Sequence, residues 1–283
     1  MKANFNFGSG TRIFHQAIGV EKAKTLANDS RLRELHLFNS KISGEEARAL
    51  AKSSYMKNLR LLRCAITIEG AIALARSSHL TDLTLSGIDI KDEMAAAFAS
   101  SSHLRNLTII GGRITVEGAR ALSRSSHLTN LILADEINVG IAMALASSSH
   151  VRNLTIIGGR ISVDAARALA GSSQLTSLTL CGGDIDGDMG NAISSGSHIT
   201  NLTLIGVSIN VKGAKALVNS SHFINLSIYG GEISDGVPAV LVSTPNLNNL
   251  KIDCDEKESI TNGFKEAGIN LEVLHIDIGD VFR

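Results

Sequence analysis

Apolar residues return along this chain on a nearly fixed beat. Leu80, Leu83 and Leu85 are followed 24 positions later by Leu104, Leu107 and Ile109, and then by Leu128, Leu131 and Leu133. The series continues through Val151, Leu154 and Ile156, then Leu175, Leu178 and Leu180, then Ile199, Leu202 and Leu204, then Phe223, Leu226 and Ile228. A period of this length marks a solenoid, in which one strand and one helix form a unit that stacks on its neighbours.

Residues 103–126, HLRNLTIIGGRITVEGARALSRSS, show how one unit is written. Leu107 and Ile109 alternate with Asn106, Thr108 and Ile110, so the first pair points to a core and the second set away from it. Gly111-Gly112 breaks the strand and permits a turn with positive φ. Ile114 re-enters the core, Thr115 is placed to cap a helix, and Glu117–Leu122 form that helix with Ala and Leu inward. Ser125-Ser126 end it. Every unit returns by the same helical crossover, so the strands must lie parallel and side by side. The expected architecture is α/β: a curved horseshoe of about ten such units, with a parallel sheet on the concave face and short helices on the convex face.

A second period overlies the first. Gly70, Gly118, Ala165 and Gly213 stand at the start of alternate helices, and Met94, Ile141, Met189 and Val237 start the helices between. A large side chain beside a missing one suggests that neighbouring helices interlock in pairs. The rhythm shortens once, where ADEIN at 134–138 replaces the usual turn, and a dent in the curve is expected there. Residues 1–30 fit loosely and read as a capping segment, with Phe5 and Phe7 in a strand, an insertion over 8–19 and a helix over Val20–Ala27. The solenoid then runs over 31–283. Leu271, Leu274 and Ile276 suggest a last strand whose edge is open, so either a further domain covers it or it pairs with another copy of the chain.

Composition narrows the function. Apolar residues make up 44% of the chain and aromatic residues only 4%, so the core is aliphatic. The formal net charge of zero gives no support to a nucleic-acid partner. It hides an asymmetry, since residues 1–63 carry twelve Lys/Arg against five acids, while residues 232–283 carry ten acids against four Lys/Arg. Solvated caps or the orientation of a partner both fit that pattern. Cys64, Cys181 and Cys254 are far apart and read as thiols in a reducing compartment. No apolar leader opens the chain, and no stretch approaches the ~20 apolar residues of a membrane span. A cytoplasmic protein is expected, and the sequons at Asn106, Asn153, Asn201 and Asn225 are by-products of the repeat.

The outward strand positions form three columns. The first runs through Asn58, Asp82, Asn106, Asn130, Asn153, Ser177, Asn201, Asn225 and Asn249, and the second includes Arg60, Thr84, Thr108, Thr155, Thr179 and Thr203. Stacked amides and hydroxyls can bond to one another or recognise a partner. The third column holds Phe38, Leu62, Ser86, Ile110, Ala134, Ile157, Cys181, Ile205 and Tyr229, and reads as an exposed aliphatic row beyond what a solvated sheet needs. A largely apolar protein contact is expected there, centred on Ile110, Ile157, Ile205 and Tyr229.

Other groups point to structure rather than chemistry. His79, His103, His127, His150, His198 and His222 recur just after the helices, a straight row with no carboxylate partner and so no metal centre. Joint protonation below a pKa of ~6.5 would loosen that row by repulsion. Arg48, Arg120, Arg167 and Lys215 share a helix face and suit solvent, or less readily a phosphate or acid. No nucleophile, metal or dinucleotide motif is present, so neither catalysis nor a cofactor is expected.

The pattern LxxLxLxxxxIxxxGAxALA, in Leu104–Ser123, Ile199–Val218 and Met56–Ala75, resembles the ribonuclease-inhibitor-like class of leucine-rich repeats. Its Gly-Ala-x-Ala-Leu helix is most similar to the GALA-type repeats of bacterial effector proteins, over roughly residues 31–278. The resemblance implies a non-catalytic protein, delivered into a host cell by a specialised secretion system, that grips a host protein with its concave face. Other roles known for such repeats are regulation of a small GTPase or hydrolase, and substrate adaptation for ubiquitin ligation. Ligase recruitment is not carried over, because residues 1–30 hold nothing like the F-box segment of GALA proteins. The turn position usually held by Asn or Cys here carries Ser40, Cys64, Ile88, Gly112, Gly159, Gly183, Val207 and Gly231. Glycine replaces the usual asparagine ladder.

Overall fold

The computed structural model describes residues 10–158, 161–242, 247–253, 262 and 265. It divides into two compact units, Met1–Ile132 and Leu133–Arg283. Both are α/β and both have the architecture of a leucine-rich-repeat solenoid. The first contains strands β1 (Thr11–Phe14), β2 (Glu34–Phe38), β3 (Asn58–Leu62), β4 (Asp82–Ser86) and β5 (Asn106–Ile110). These are joined to helices α1 (Val20–Ala27), α2 (Gly44–Ala51), α3 (Ile68–Ala75), α4 (Asp92–Ala99) and α5 (Val116–Ser123). Strand β6 (Asn130–Ala134) spans the division. The second unit has helices α6 (Val139–Ala146), α7 (Val163–Ala170), α8 (Gly187–Ser194), α9 (Val211–Val218) and α10 (Val237–Val242). Its strands are β7 (Asn153–Ile157), β8 (Ser177–Cys181), β9 (Asn201–Ile205), β10 (Asn225–Tyr229) and β11 (Asn249–Asp253).

Within each unit the strands pair in parallel and in chain order. Leu35, Leu59, Leu83 and Leu107 stand side by side in the first. Leu154, Leu178, Leu202, Leu226 and Leu250 do so in the second. Register follows from burial: a slip by one residue would turn each leucine pair to the other face. Leu35, Leu59, Leu131, Leu178 and Leu204 are fully buried, and burial of a leucine side chain contributes ~1.5–3 kcal/mol.

Polar residues at fixed positions close each coil. Thr115 accepts the backbone N–H of Gly118 at 2.9 Å, which caps α5 as the sequence predicts, and Thr67 caps α3 by accepting from Gly70 at 3.1 Å. Asn138, Asp186 and Asn210 cap α6, α8 and α9 in the same way. At the other end of the helix, Ser77, Ser101, Ser125, Ser148 and Ser172 are buried. Each Oγ accepts from the N–H groups two and three residues on, as Ser125 does from His127 at 3.3 Å and Leu128 at 3.1 Å. The serine supplies the acceptor that the chain needs as it leaves the helix.

The turn after the strand gives its two glycines different duties. Gly111 adopts φ +61°, the left-handed conformation expected from the sequence. Gly112 does not, yet a Cβ there would stand 1.9 Å from the Ile88 carbonyl oxygen. Gly112 is therefore glycine because the preceding repeat passes too close.

Helices pack most closely in pairs, α2 with α3 and α4 with α5 in the first unit, and α6 with α7 and α8 with α9 in the second. The second helix of each pair carries Gly70, Gly118, Ala165 or Gly213, so the two-repeat period has a packing basis. The atoms occupying the missing side-chain space differ from those expected. A Cβ at Gly70 would meet the Ile42 carbonyl at 3.1 Å, and one at Gly213 the Ile185 carbonyl at 2.0 Å. At Gly70 and Gly213 the preceding repeat's backbone takes up that space, and at Gly118 the Ile114 and Asp92 side chains do, rather than Met94 or its equivalents, which are themselves buried.

The N-terminal reading needs a correction. The stretch 8–19 is not simply an insertion, because Thr11–Phe14 forms β1 and pairs with β2. Arg12 stands opposite Leu35 at a core-facing position, where it donates to Asp29 at 3.1 Å. A charged residue in a leucine position hid the strand from the apolar pattern. Phe5, Phe7, Leu271, Leu274 and Ile276 lie outside the described residues.

The paired glycines yield a graded prediction. Gly111→Ala, with its nearest non-bonded atom 3.9 Å away, should cost about 1 kcal/mol through backbone strain. Gly112→Ala should cost more than about 3 kcal/mol, because backbone must move. Urea unfolding of the two variants measures the difference, and equal losses would show that Ile88 yields easily.

Candidate binding face

In each unit the sheet face turned away from the helices carries that unit's part of the three columns. In the first unit the amide column is a hydrogen-bonded ladder. With its amide nitrogen turned toward Asp82, Asn58 donates to that carboxylate at 3.0 Å. Asn106 donates to Asp82 from the other side, and Asn130 donates to Asn106. The second unit repeats this, with Asn225 donating to Asn201 and Asn249 to Asn225 at 2.6 Å. Parallel in-register strands set equivalent side chains ~4.8 Å apart, which suits an amide that donates to one neighbour and accepts from the other. Asn201 spends its own amide hydrogens at home, on the Thr176 carbonyl and the Thr200 hydroxyl.

The threonine column lies beside it. Thr108 and Thr203 are half-buried, while Thr155 is buried between its neighbours. Asn106 and Asn201 are half-buried and Asn153 is exposed.

The third column is corrected. Phe38, Leu62, Ile110, Ile157, Ile205 and Tyr229 are all buried, none more than 7% exposed, so no exposed aliphatic row exists. They stand beside one another in register, Phe38 against Leu62, Ile157 against Cys181, and Ile205 against Cys181 and Tyr229. Further cover comes from His15, stacked on Phe38 with centroids 4.6 Å apart, and from the Lys251 ammonium, 4.9 Å from the Tyr229 ring centre. Alternation tells which side of the strand a residue takes; it does not tell what covers it.

Sequence reasoning missed the charged end of this face. Glu34 and His36 occupy the first and second columns one repeat before Asn58 and Arg60, where the same alternation could have found them. Glu34 Oε1 accepts from His36 Nε2 and from Arg60 Nε, each at 2.8 Å. The His36 hydrogen bond and the Arg60 guanidinium hold the Glu34 carboxyl down to about 2, against the opposing pull of burial.

The remaining candidates act structurally. His79, His103, His127 and His150 each place Nδ1 2.8 Å from the hydroxyl of the serine just before. His222 instead bonds Ser220, and burial followed by the His198 charge lowers its pKa. Cys64 and Cys181 are free and buried, and burial raises both thiols. Among the described residues no group of three His, Cys, Asp or Glu could hold a metal ion. No helix among them is long and apolar enough to cross a membrane.

No family model matches the chain, and no curated protein matches it. Among solved structures it is similar to TLR13 in a complex with ssRNA13, with TM-score 0.54 and 19% identity over 91% of this chain. That match takes in only 38% of the TLR13 chain. It is also similar to the internalin InlF from Listeria monocytogenes str. 4b F2365, with TM-score 0.44 and 17% identity over 80% of this chain and 69% of that one. With TLR13, at 19% identity, the shared property is the fold.

The Glu34 cluster predicts an acid-sensitive stability. The folded-state pKa lies below the ordinary 4.5, so the stabilisation is complete above about 4.5 and is lost as pH falls through about 2. Its size is on the order of 2–3 kcal/mol. Glu34→Gln should remove that slope between pH 5 and 2, as read by urea midpoints at successive pH values. An unchanged slope would show that the cluster is not what acid breaks.

Proposed function

We propose that this chain is a non-catalytic protein-interaction module whose open sheet face contacts a partner protein. The observation that carries this reading is the pair of columns on that face, uncharged over most of their length. Asn106, Asn153 and Asn201 offer amides at strand spacing, and Thr108, Thr155 and Thr203 offer hydroxyls and methyls beside them. Beyond the Glu34, His36 and Arg60 cluster, the described residues of this face bring no acid, base and nucleophile together as catalysis would need. The face also lacks the positive field that a nucleic-acid backbone would need. With Ile110, Ile157, Ile205 and Tyr229 buried, the contact we propose is polar and hydrogen-bonded.

The similarity of the repeat helix to GALA-type repeats supports the finer reading of a bacterial effector that engages a host protein after delivery into the host cell. The closely bonded ladders favour a partner that reads a rigid surface, because little side-chain freedom remains to be lost on binding.

Affinity capture from host lysate, wild type beside Thr108→Lys and Thr203→Lys, tests the face. One dominant protein partner should be recovered, and its recovery should fall about tenfold, equivalent to ~1.4 kcal/mol, when a charged side chain enters the column. Equal recovery by all three proteins would rule out the sheet face as the contact.

A further inference from the structure

The helix side of the first unit has a groove that the sheet face does not explain. It runs across α1, α2 and α3 with a volume of about 990 Å³. Its floor is built from Ala27, Ala49 and Ala73, with Ile72 beside them. All four are small or aliphatic, and the three alanines are buried.

Cations outnumber acids along the groove. Glu45 and Glu69 stand in the first turns of α2 and α3, the Arg48 guanidinium reaches back to Gly44 beside the Glu69 side chain, and Lys52 and Arg76 follow the helix ends. Lys24 lines the groove as well and bonds Glu21 at 2.7 Å. The side chains of Arg48, Lys52 and Arg76 make no hydrogen bond or ion pair among the described residues. Equivalent arginines on other helices do. Arg120 bonds Glu117 one turn before it, and Arg167 bonds Asp164 at 2.9 Å. Arg48 has Glu45 at the same spacing and leaves it unbonded. The groove therefore carries three cations that no carboxylate of the described residues bonds, at the edge of an apolar floor.

We infer that this groove docks an acidic, partly apolar peptide segment of a partner protein. Apolar side chains of the segment cover the alanine floor, and its carboxylates meet Arg48, Lys52 and Arg76. The exposed guanidinium groups can each take a carboxylate with two parallel hydrogen bonds. The excess of Lys/Arg over acids in residues 1–63, twelve against five, adds a field of the same sign around the groove.

The test uses the full chain and a fluorescein-labelled helical peptide with leucines on one face and glutamates on the other. A twin peptide has glutamine in place of glutamate. Fluorescence polarisation should show saturable binding of the glutamate peptide, about tenfold weaker for the glutamine twin and for Arg48→Glu/Arg76→Glu. Raising salt from about 0.05 M to about 0.5 M should weaken it further. Circular dichroism melting confirms that the variant is folded, as both positions are exposed. Equal binding of the two peptides, equal binding by the variant, or no saturation would overturn the proposal. Sedimentation of the unliganded chain closes the remaining route. Self-association that the double variant abolishes would assign the groove to a second copy and overturn the foreign peptide.

Discussion

No single repeat of this chain can bury its own apolar face, and the structure depends on that constraint. A five-residue strand and an eight-residue helix, such as Asn106–Ile110 and Val116–Ser123, are each too short to persist alone in water. Leu107 becomes buried only because Leu83 stands one strand before it. Stability is therefore a property of interfaces between neighbours, and whatever keeps equivalent positions in register matters more than any single contact.

Register is maintained by three devices at three points of the repeat. Alternating leucines set the phase of the strand, the helix-capping oxygens of Thr67, Thr115 and Asn210 set where the helix begins, and the buried serines set where it ends. Where the backbone comes closer than a side chain allows, glycine takes over. Gly196 stands in the serine series, and a Cβ there would lie 1.8 Å from the Ala170 carbonyl oxygen. Gly112 answers the same crowding in the turn. The same regular phase that buries the leucines aligns Asn58, Asp82, Asn106 and Asn130 into a ladder on the opposite face. The candidate site is thus a by-product of the packing rule.

The parts of this arrangement that were legible in the sequence are those that periodicity encodes. The strand positions, the parallel order, the caps and the pairing of alternate helices all follow from residue type at a repeating interval. What periodicity does not encode is cover. Tyr229 and Ile205 alternate outward in the pattern, yet both are fully buried, because same-face neighbours and groups such as Lys251 lie over the column. Strand β1 was hidden for a related reason. Arg12 satisfies a core-facing position through Asp29, and a polar solution to an apolar problem leaves no apolar signature.

The contrast between the two faces bears on what kind of recognition each can support. On the sheet, amides bond along the column, so charge is almost absent and the geometry is held by the strands themselves. At Glu34 the same column changes character: one carboxylate serves both His36 and Arg60, and the charges cancel locally. On the helices, Glu117 with Arg120 and Asp164 with Arg167 show that neutralisation within one helix turn is available to this repeat. Arg48 has the same opportunity in Glu45 and does not take it. A guanidinium left unbonded where the sequence supplies a carboxylate three residues away is set apart from a charge that merely keeps a helix soluble. Exposed i, i+3 pairs contribute only a few tenths of a kcal/mol, so an external carboxylate has little to displace.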